Sequence, residues 1–445
     1  MVFMKKNAYF ERKIDPILLS WAKESNRKPL LLRGARQVGK SSAVRNLGKL
    51  FESYVEINFE DDKEVHIFFE KFQSPQEICR QLSLFYKKEI IAGRTLVFFD
   101  EIQSCPSALA KLRYFYEKYQ ELHLIAAGSL LEFAIEEMAS FAVGRIRSLY
   151  LYPFSFEEFL LAQKNDILIK AYRQANSKNP LTEPIHKELN KLLKTFLITG
   201  GMPEAIVKYT ETKSFLQSQM AIDDLMISFK SDFAKYKKRL PSAHIENVFE
   251  SVANQIDGKF VYERVAELNN SQVKQSLELL IMAGLVIPVT HTSANGIPLG
   301  AGANFKRRRM LLLDTGMFLR MLDFDASQIS IADDFKTISM GSLAEMFVGL
   351  EILKSSSCYI PYKLYYWHRE KKQSNAQVDF VIQKNTSIIP IEVKSGIKGS
   401  MPSLRLFMQE KYSKIGIRTS LENFGRYENI DIYPLYAISN LIVNR

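Results

Sequence analysis

The sequence predicts a multidomain α/β chain: a parallel sheet with flanking helices first, a helical stretch in the middle, and a second, smaller α/β domain at the end. Three stretches predict it. Leu30-Leu31-Leu32 is an apolar run of the buried-strand kind, followed by Gly34-Ala35-Arg36-Gln37-Val38-Gly39-Lys40-Ser41 and a helical opening at Ala43-Val44-Arg45-Asn46-Leu47. Thr95 to Phe99 is another apolar run, and it ends on Asp100-Glu101. Ala376 to Ile382 and Ile388 to Lys394 read as two strands of one sheet, joined by a turn near Asn385.

A chain of 445 residues is too long for one core. The expected division is 1–165, 166–240, 241–310 and 311–445. A formal net charge of +11 and a pI near 9.2 favour a polyanionic partner. Cys79, Cys105 and Cys358 are odd in number and far apart, with no C-x-x-C pair, so neither a disulfide framework nor a cysteine zinc site is expected and the reducing cytoplasm fits best. Met1 to Arg12 has no apolar core of leader length and no later stretch reaches membrane-spanning length, so no membrane partner is expected.

The first stretch has the chemistry of a P-loop, Walker A. Gly34 and Gly39 permit backbone conformations that turn successive N–H groups toward phosphate oxygens, and the helix opening at Lys40 adds its positive N-terminal dipole. Gly34, Ala35, Arg36, Gln37, Val38, Gly39, Lys40, Ser41 and Ser42 are the nucleotide-binding candidates. Lys40 is suited to the β- and γ-phosphates of ATP and the Ser41 hydroxyl to Mg²⁺, leaving Ser42 a helix residue. The strand ending in Asp100-Glu101 is what a Walker B site needs: Asp100 for the metal, Glu101 to polarise water. Around these, Ile14 to Trp21 reads as a helix, Tyr54 to Phe59 as a strand, Val65 to Phe72 and Pro75 to Ile90 as helices, and Leu122 to Ala127 as another buried strand. Ser129 follows that strand, either as a γ-phosphate sensor or as the N-cap of a helix from Leu130 to Met138.

R-G-A-R-Q-V-G-K-S, L-V-F-F-D-E-I-Q and A-A-G-S-L-L-E-F resemble the AAA-type P-loop domain of a branch of the AAA+ ATPases. Val143-Gly144-Arg145 and Leu151 to Phe159 are similar to that family's next segment. The resemblance implies that Arg145 lies near the nucleotide or a neighbouring subunit, and that the chain forms an oligomer; a surface role for Arg145 stays open.

Asn165 to Pro184 is polar and Lys/Asn-rich, a loop or boundary. Ile185 to Leu197 is helical and stops at Gly200-Gly201-Met202-Pro203, an element the same family carries; it reads as a sharp interhelical turn. Ser218 to Lys238 reads as a long helix ending in a basic run, Lys235 to Arg239. From Pro241 to Val289 the layout is that of a winged helix: helices Ile245 to Ile256 and Val261 to Leu268, a third opened by Ser271 as N-cap, then a strand from Leu285. As a DNA reader it would present Gln272, Lys274 and Gln275 to bases and Lys306-Arg307-Arg308-Arg309 to phosphates; the same fold also serves as a lid or protein dock.

In the last domain, Leu343 to Leu353 reads as a helix carrying Glu345, and Lys363 to Trp367 as a strand. Alternation puts Glu392 and Lys394 on one strand face, and Asp379 sits on the neighbouring strand. Two carboxylates and a lysine suit metal-dependent phosphodiester cleavage, with Glu345 as a further ligand. The set resembles the PD-(D/E)xK nuclease fold, and Asp224 to Gly396 looks like a domain of unknown function that commonly follows this ATPase branch. Gln377 stands where many relatives carry an acid. Trp367-His368-Arg369 reads as a stacking and phosphate contact or as a core tryptophan with surface cations. Residues from Ser400 suggest a covering helix, and Tyr427 to Ile438 a strand pair.

The expected function is therefore that of an ATP- and Mg²⁺-dependent ATPase directed at nucleic acid, DNA ahead of RNA, with a nuclease site at its C-terminal end. The alternative is an NTP-controlled switch whose nuclease-like domain is a catalytically inactive binding or docking module, with a second copy or another protein as partner.

Overall fold

The computed structural model describes residues 9–129, 131–137, 144–234, 240–256, 258–326, 340–369, 375–396 and 399–442. They form two compact units, Met1–Tyr152 with Ser357–Pro361, and Pro153–Ser356 with Tyr362–Arg445.

The first unit is built on five strands: β1 (Leu30–Arg33), β2 (Ser53–Asn58), β3 (Thr95–Asp100), β4 (His123–Ala127) and β5 (Arg147–Tyr150). Their order is β2-β3-β4-β1-β5 and every pairing is parallel. β3 and β4 are buried along their whole length, as their unbroken apolar runs require of a sheet covered on both faces. Leu31, Val97, Phe99, Leu124 and Ala126 share one core with residues of the helices Pro75–Tyr86 and Pro106–Lys118. The expected helix near the start is Asp15–Ala22. The one expected from Val65 is a short turn, Lys63–Val65, running into His66–Lys71. The next stops at Tyr86 rather than Ile90, because Lys87 takes a left-handed conformation (φ 53°) that closes the last turn. Leu131–Glu137 is the described part of the helix expected from Leu130 to Met138; Leu130, Met138 and Val143 lie outside the described residues.

The second unit opens with a helix, Phe156–Ala162, capped reciprocally by Ser155 and Glu158. The polar stretch expected to be a loop contains another, Asp166–Gln174. The Asn165 side chain accepts from the Leu168 N–H at 3.1 Å, and Leu168, Ile169 and Tyr172 are buried, so capping and one apolar face outweigh the polar composition. Helices Glu183–Thr199, Pro203–Thr212 and Phe215–Phe233 follow. The basic run Lys235 to Arg239 lies outside the described residues.

Gly200-Gly201 joins two of these helices and also receives Asp314. Gly200 has φ 69°, and a Cβ there would meet the Asp314 carboxylate at 2.0 Å. The Gly201 N–H donates to Asp314 Oδ2 at 2.5 Å, while Asp314 Oδ1 accepts from Gly316 and Met317 at the start of the helix Thr315–Met321. The Gly-Gly-x-Pro element is thus a packing junction that only glycine fits.

The helix Ser242–Ala253, the short turn Tyr262–Arg264, the helix Asn270–Met282 and the antiparallel pair β6 (Val286–Thr292) and β7 (Ala303–Leu312) follow in that order. The expected helix over Val261 to Leu268 is reduced to that turn, since Val265 is extended and Glu267 is left-handed. The N-cap of the next helix is Asn269, not Ser271: its side chain accepts from the Ser271 and Gln272 N–H groups, and Gln272 bonds back to the Asn269 N–H. β6 also pairs in parallel with β8 (Leu364–His368), which pairs with β9 (Gln377–Val378), so one sheet runs β7-β6-β8-β9.

A second sheet contains β10 (Phe380–Lys384), β11 (Ser387–Val393), β12 (Gly416–Ser420), β13 (Gly425–Tyr427) and β14 (Ile430–Pro434), ordered β10-β11-β12-β14-β13. The single strand expected over Ala376 to Ile382 is therefore divided at Asp379 between two sheets. The Asp379 carboxylate accepts the Val393 N–H at 2.8 Å, and such side-chain bonding to backbone competes with a continuous ladder. Helices Met340–Ser355 and Pro402–Glu410 complete the described core.

Candidate functional site

The loop from Gly34 to Lys40 follows β1 and runs into the helix Lys40–Gly48. Gly34 has φ 139°, and a Cβ there would meet the Leu151 carbonyl oxygen at 2.1 Å; Gly39 is left-handed at φ 98° and forms the N-cap. Both positions need glycine for the loop to close. Lys40 is buried, and its ammonium donates to the carbonyls of Gly34 (2.9 Å) and Ala35 (2.8 Å). Burial pulls its pKa down to about 8, against the opposing pull of Glu101 and Asp100. The Ser41 hydroxyl donates to Asp100 Oδ2 at 2.7 Å. Ser42 is exposed on the helix.

Because β4 stands between β1 and β3, Ser129 beyond its tip reaches the acids at the end of β3. Glu101 is left-handed (φ 48°), and its Oε2 accepts from the Ser129 N–H at 3.2 Å, the Ser129 hydroxyl at 3.0 Å and Gln103 Nε2 at 2.6 Å. Burial raises the Asp100 pKa, opposed by the Ser41 hydrogen bond. A glycine-closed loop at a helix N-terminus, a buried ammonium, a hydroxyl on one carboxylate and a second carboxylate held by two side chains suit a nucleoside triphosphate and Mg²⁺. Lys40 and the loop backbone would hold the phosphates, and Ser41 with Asp100 the cation. Arg145 is exposed and paired with Glu117.

A second constellation lies in the other unit. Glu345 comes from the helix Met340–Ser355, Asp379 from the break between β9 and β10, and Glu392 and Lys394 from β11 and the residue after it. Lys394 Nζ contacts Glu392 Oε1 at 2.6 Å. Arg309, from β7, contacts Glu345 and stands 3.8 Å from Asp379 Oδ1. Its guanidinium lies 5.5 Å from the Tyr366 ring centre, and the side chain is 1% exposed. Burial raises the pKa values of Asp379 and Glu392, opposed chiefly by Arg309 at Asp379 and by Lys394 at Glu392. Among the described residues no three or more His, Cys, Asp or Glu side chains group so as to hold a metal ion. The four residues expected to form a nuclease site do come together, but as an ion network closed by Arg309; a metal does not fit them in this arrangement.

Residues 26–160 match the model of an AAA domain. The first unit has a parallel-sheet P-loop NTPase fold. Residues 190–328 match a domain of unknown function (DUF8612), and residues 340–438 another (DUF4143). Among solved structures, the Walker-type ATPase PABY2304 of Pyrococcus abyssi is similar at 16% identity, covering 71% of this chain and 96% of that one with a TM-score of 0.45. The Aeropyrum pernix ORC1 protein in complex with DNA (15% identity, 72% and 93% covered, TM-score 0.28) and C. elegans PCH-2 (14%, 60% and 67%, 0.24) are more distant. No curated protein matches the chain.

In the AAA domain, sequence reasoning missed Gln103, which clamps Glu101 and packs on Gly128, where a Cβ would meet its Oε1 at 1.9 Å. The signal was there: an amide two residues after the acid, in a turn. Arg33, whose guanidinium pairs with Glu132 and lies 5.0 Å from the Tyr150 ring centre, was also missed. Beyond that domain, the run Lys306 to Arg309 suggests four phosphate-facing cations. In the structure Arg308 pairs with Glu278 at 2.7 Å and Arg309 is buried, because the strand turns alternate side chains inward.

Proposed function

We propose that the chain is a Mg²⁺-dependent ATPase that acts as a nucleotide-controlled switch, with its nuclease-like constellation serving as a binding or docking module. The observation that carries the ATPase reading is the contact of Ser41 with Asp100, which brings Walker A and Walker B together across the intervening β4. When bound, Mg²⁺ supplies Lewis-acid stabilisation of phosphate charge. Lys40 then supplies a fixed positive charge in a site shielded from water, where it acts more strongly than in solvent. Glu101 accepts the proton of the attacking water once freed from Gln103. Ser129 acts as the orienting residue of that carboxylate.

Arg309 favours the switch over the cleaving reading, because its guanidinium already engages the carboxylates a nuclease would give to metal. The basic pI and the exposed Lys306 support the second reading, an ATPase directed at nucleic acid. ATP turnover by the full chain, with and without DNA, on wild type and Glu101→Gln decides between them. Turnover that falls by about 10²-fold or more in the variant supports the site. Turnover unchanged by DNA supports the switch, and strong stimulation by DNA, or DNA nicked in the same tubes, overturns it. Equal turnover in both proteins overturns the ATPase site.

A further inference from the structure

We infer that Arg12, which lies outside both Walker stretches, is a positioning residue of the nucleotide site: its guanidinium holds the Val38 carbonyl and so fixes the direction of the Gly39 N–H, a donor to the phosphates of a nucleoside di- or triphosphate. The inference rests on reading Gly34 to Ser42 as a phosphate-binding loop and adds what sets the direction of its backbone.

A loop that offers N–H groups to an anion must settle its carbonyls elsewhere, because a buried backbone oxygen is costly to leave unpaired. Lys40 takes those of Gly34 and Ala35. Val38 is fully buried, and its carbonyl accepts from Arg12 Nη1 at 3.0 Å. The peptide from Val38 to Gly39 is trans, so this oxygen and the Gly39 N–H point to opposite sides of one plane. Fixing the first fixes the second. Gly39, left-handed at φ 98° where the loop gives way to the helix, leaves that peptide free to turn unless something holds it.

Arg12 is itself held at both ends. Its other terminal nitrogen, Nη2, donates to the Tyr152 carbonyl at 2.7 Å, and the carbonyl of the preceding residue, Leu151, lies against Gly34. The Arg12 backbone N–H donates to Asp15 Oδ2 at 2.8 Å, while Asp15 Oδ1 accepts from the Tyr9 hydroxyl at 2.6 Å. Arg12 is 5% exposed, so water competes little for these bonds. The planar fork of arginine suits two carbonyls at once, one on the loop and one on the segment after β5. Together they order the loop before the nucleotide arrives, which lowers the ordering cost of binding.

The test is ADP and ATP affinity of the full chain by titration calorimetry, together with steady-state ATP turnover. Arg12→Met weakens ADP and ATP alike by about 10- to 100-fold, since the two share the phosphates that a P-loop backbone holds, and it raises KM while kcat stays within about twofold. Arg12→Lys keeps a donor for one carbonyl and falls between, about three- to tenfold weaker than wild type, and carries the test if the methionine variant does not fold. A lower kcat at unchanged KM in a folded variant marks a smaller fraction of active protein and overturns the positioning role. ADP affinity equal to wild type in a folded variant overturns it too, with the ATPase site left standing. Wild type that binds neither nucleotide overturns the ATPase reading and this inference with it.

Discussion

Lys40 and Arg309 are both buried cations set among carboxylates, and their partners differ in kind. The Lys40 ammonium donates to two neutral carbonyls, and its nearest acids are already committed, Asp100 to Ser41 and Glu101 to Ser129 and Gln103. Arg309 instead contacts Glu345 directly and Asp379 at 3.8 Å. A buried charge whose partners are dipoles has its desolvation only partly offset and gains most from an incoming anion. One whose partners are carboxylates has its compensation inside the fold. The first arrangement belongs to a binding site and the second to a lock.

The difference is broken most directly by removing each cation. Lys40→Ala lowers ATP affinity by at least about 100-fold while the unfolding free energy stays equal or rises, since a buried charge is relieved. Titration calorimetry and denaturant unfolding check the two halves, and unchanged ATP affinity would sink the assignment of the loop. Arg309→Met inverts the pattern. It lowers the unfolding free energy by about 3 to 5 kcal/mol, because Glu345 and Asp379 lose their shared buried partner, and leaves ATP affinity within about twofold. A melting temperature equal to wild type would show that Arg309 contributes nothing to the closed network.

The contrast also explains what could be read in advance. The P-loop and the acids at the tip of β3 are local: each is a short run whose meaning depends on the strand before it and the turn or helix after it. The sheet order that inserts β4 between them is not written in either run, and only the tertiary fold puts Ser129 against Glu101. Arg309 was illegible for the opposite reason. A run of four cations reads as a solvated face, and nothing in Lys306-Arg307-Arg308-Arg309 tells which residue the strand turns inward. The Gly200-Gly201 element gave a break and no reason for it; the reason is Asp314, more than a hundred residues away in sequence. Asp314→Ala removes its bonds to Gly201, Gly316 and Met317 and costs about 1 to 3 kcal/mol, measurable by denaturant unfolding. The helix Pro106–Lys118 is legible by spacing alone, since Leu109, Leu112 and Phe115 line its buried face.

The smallest expected effect is also the most specific to the comparison. Burial pulls the Lys40 ammonium down to about 8 from the 10.5 of an exposed lysine. Between those values the unfolded chain binds the additional proton, so the cost of burying the charge stands in full below about 8 and is relieved as pH rises from there toward 10.5. The measurement is the difference in melting temperature between wild type and Lys40→Met as a function of pH, which isolates this one group. That difference narrows from pH 7 to pH 9.5 without nucleotide, because wild type sheds the buried charge that the methionine never had. Bound ATP reverses the sense at Lys40: phosphate charge holds the ammonium protonated, raises its pKa, and makes ATP affinity decline as pH climbs past about 8. A gap that stays flat with pH in the free protein would mean that the ammonium is already compensated as fully as Arg309, and the distinction between an open site and a closed one would fail at Lys40.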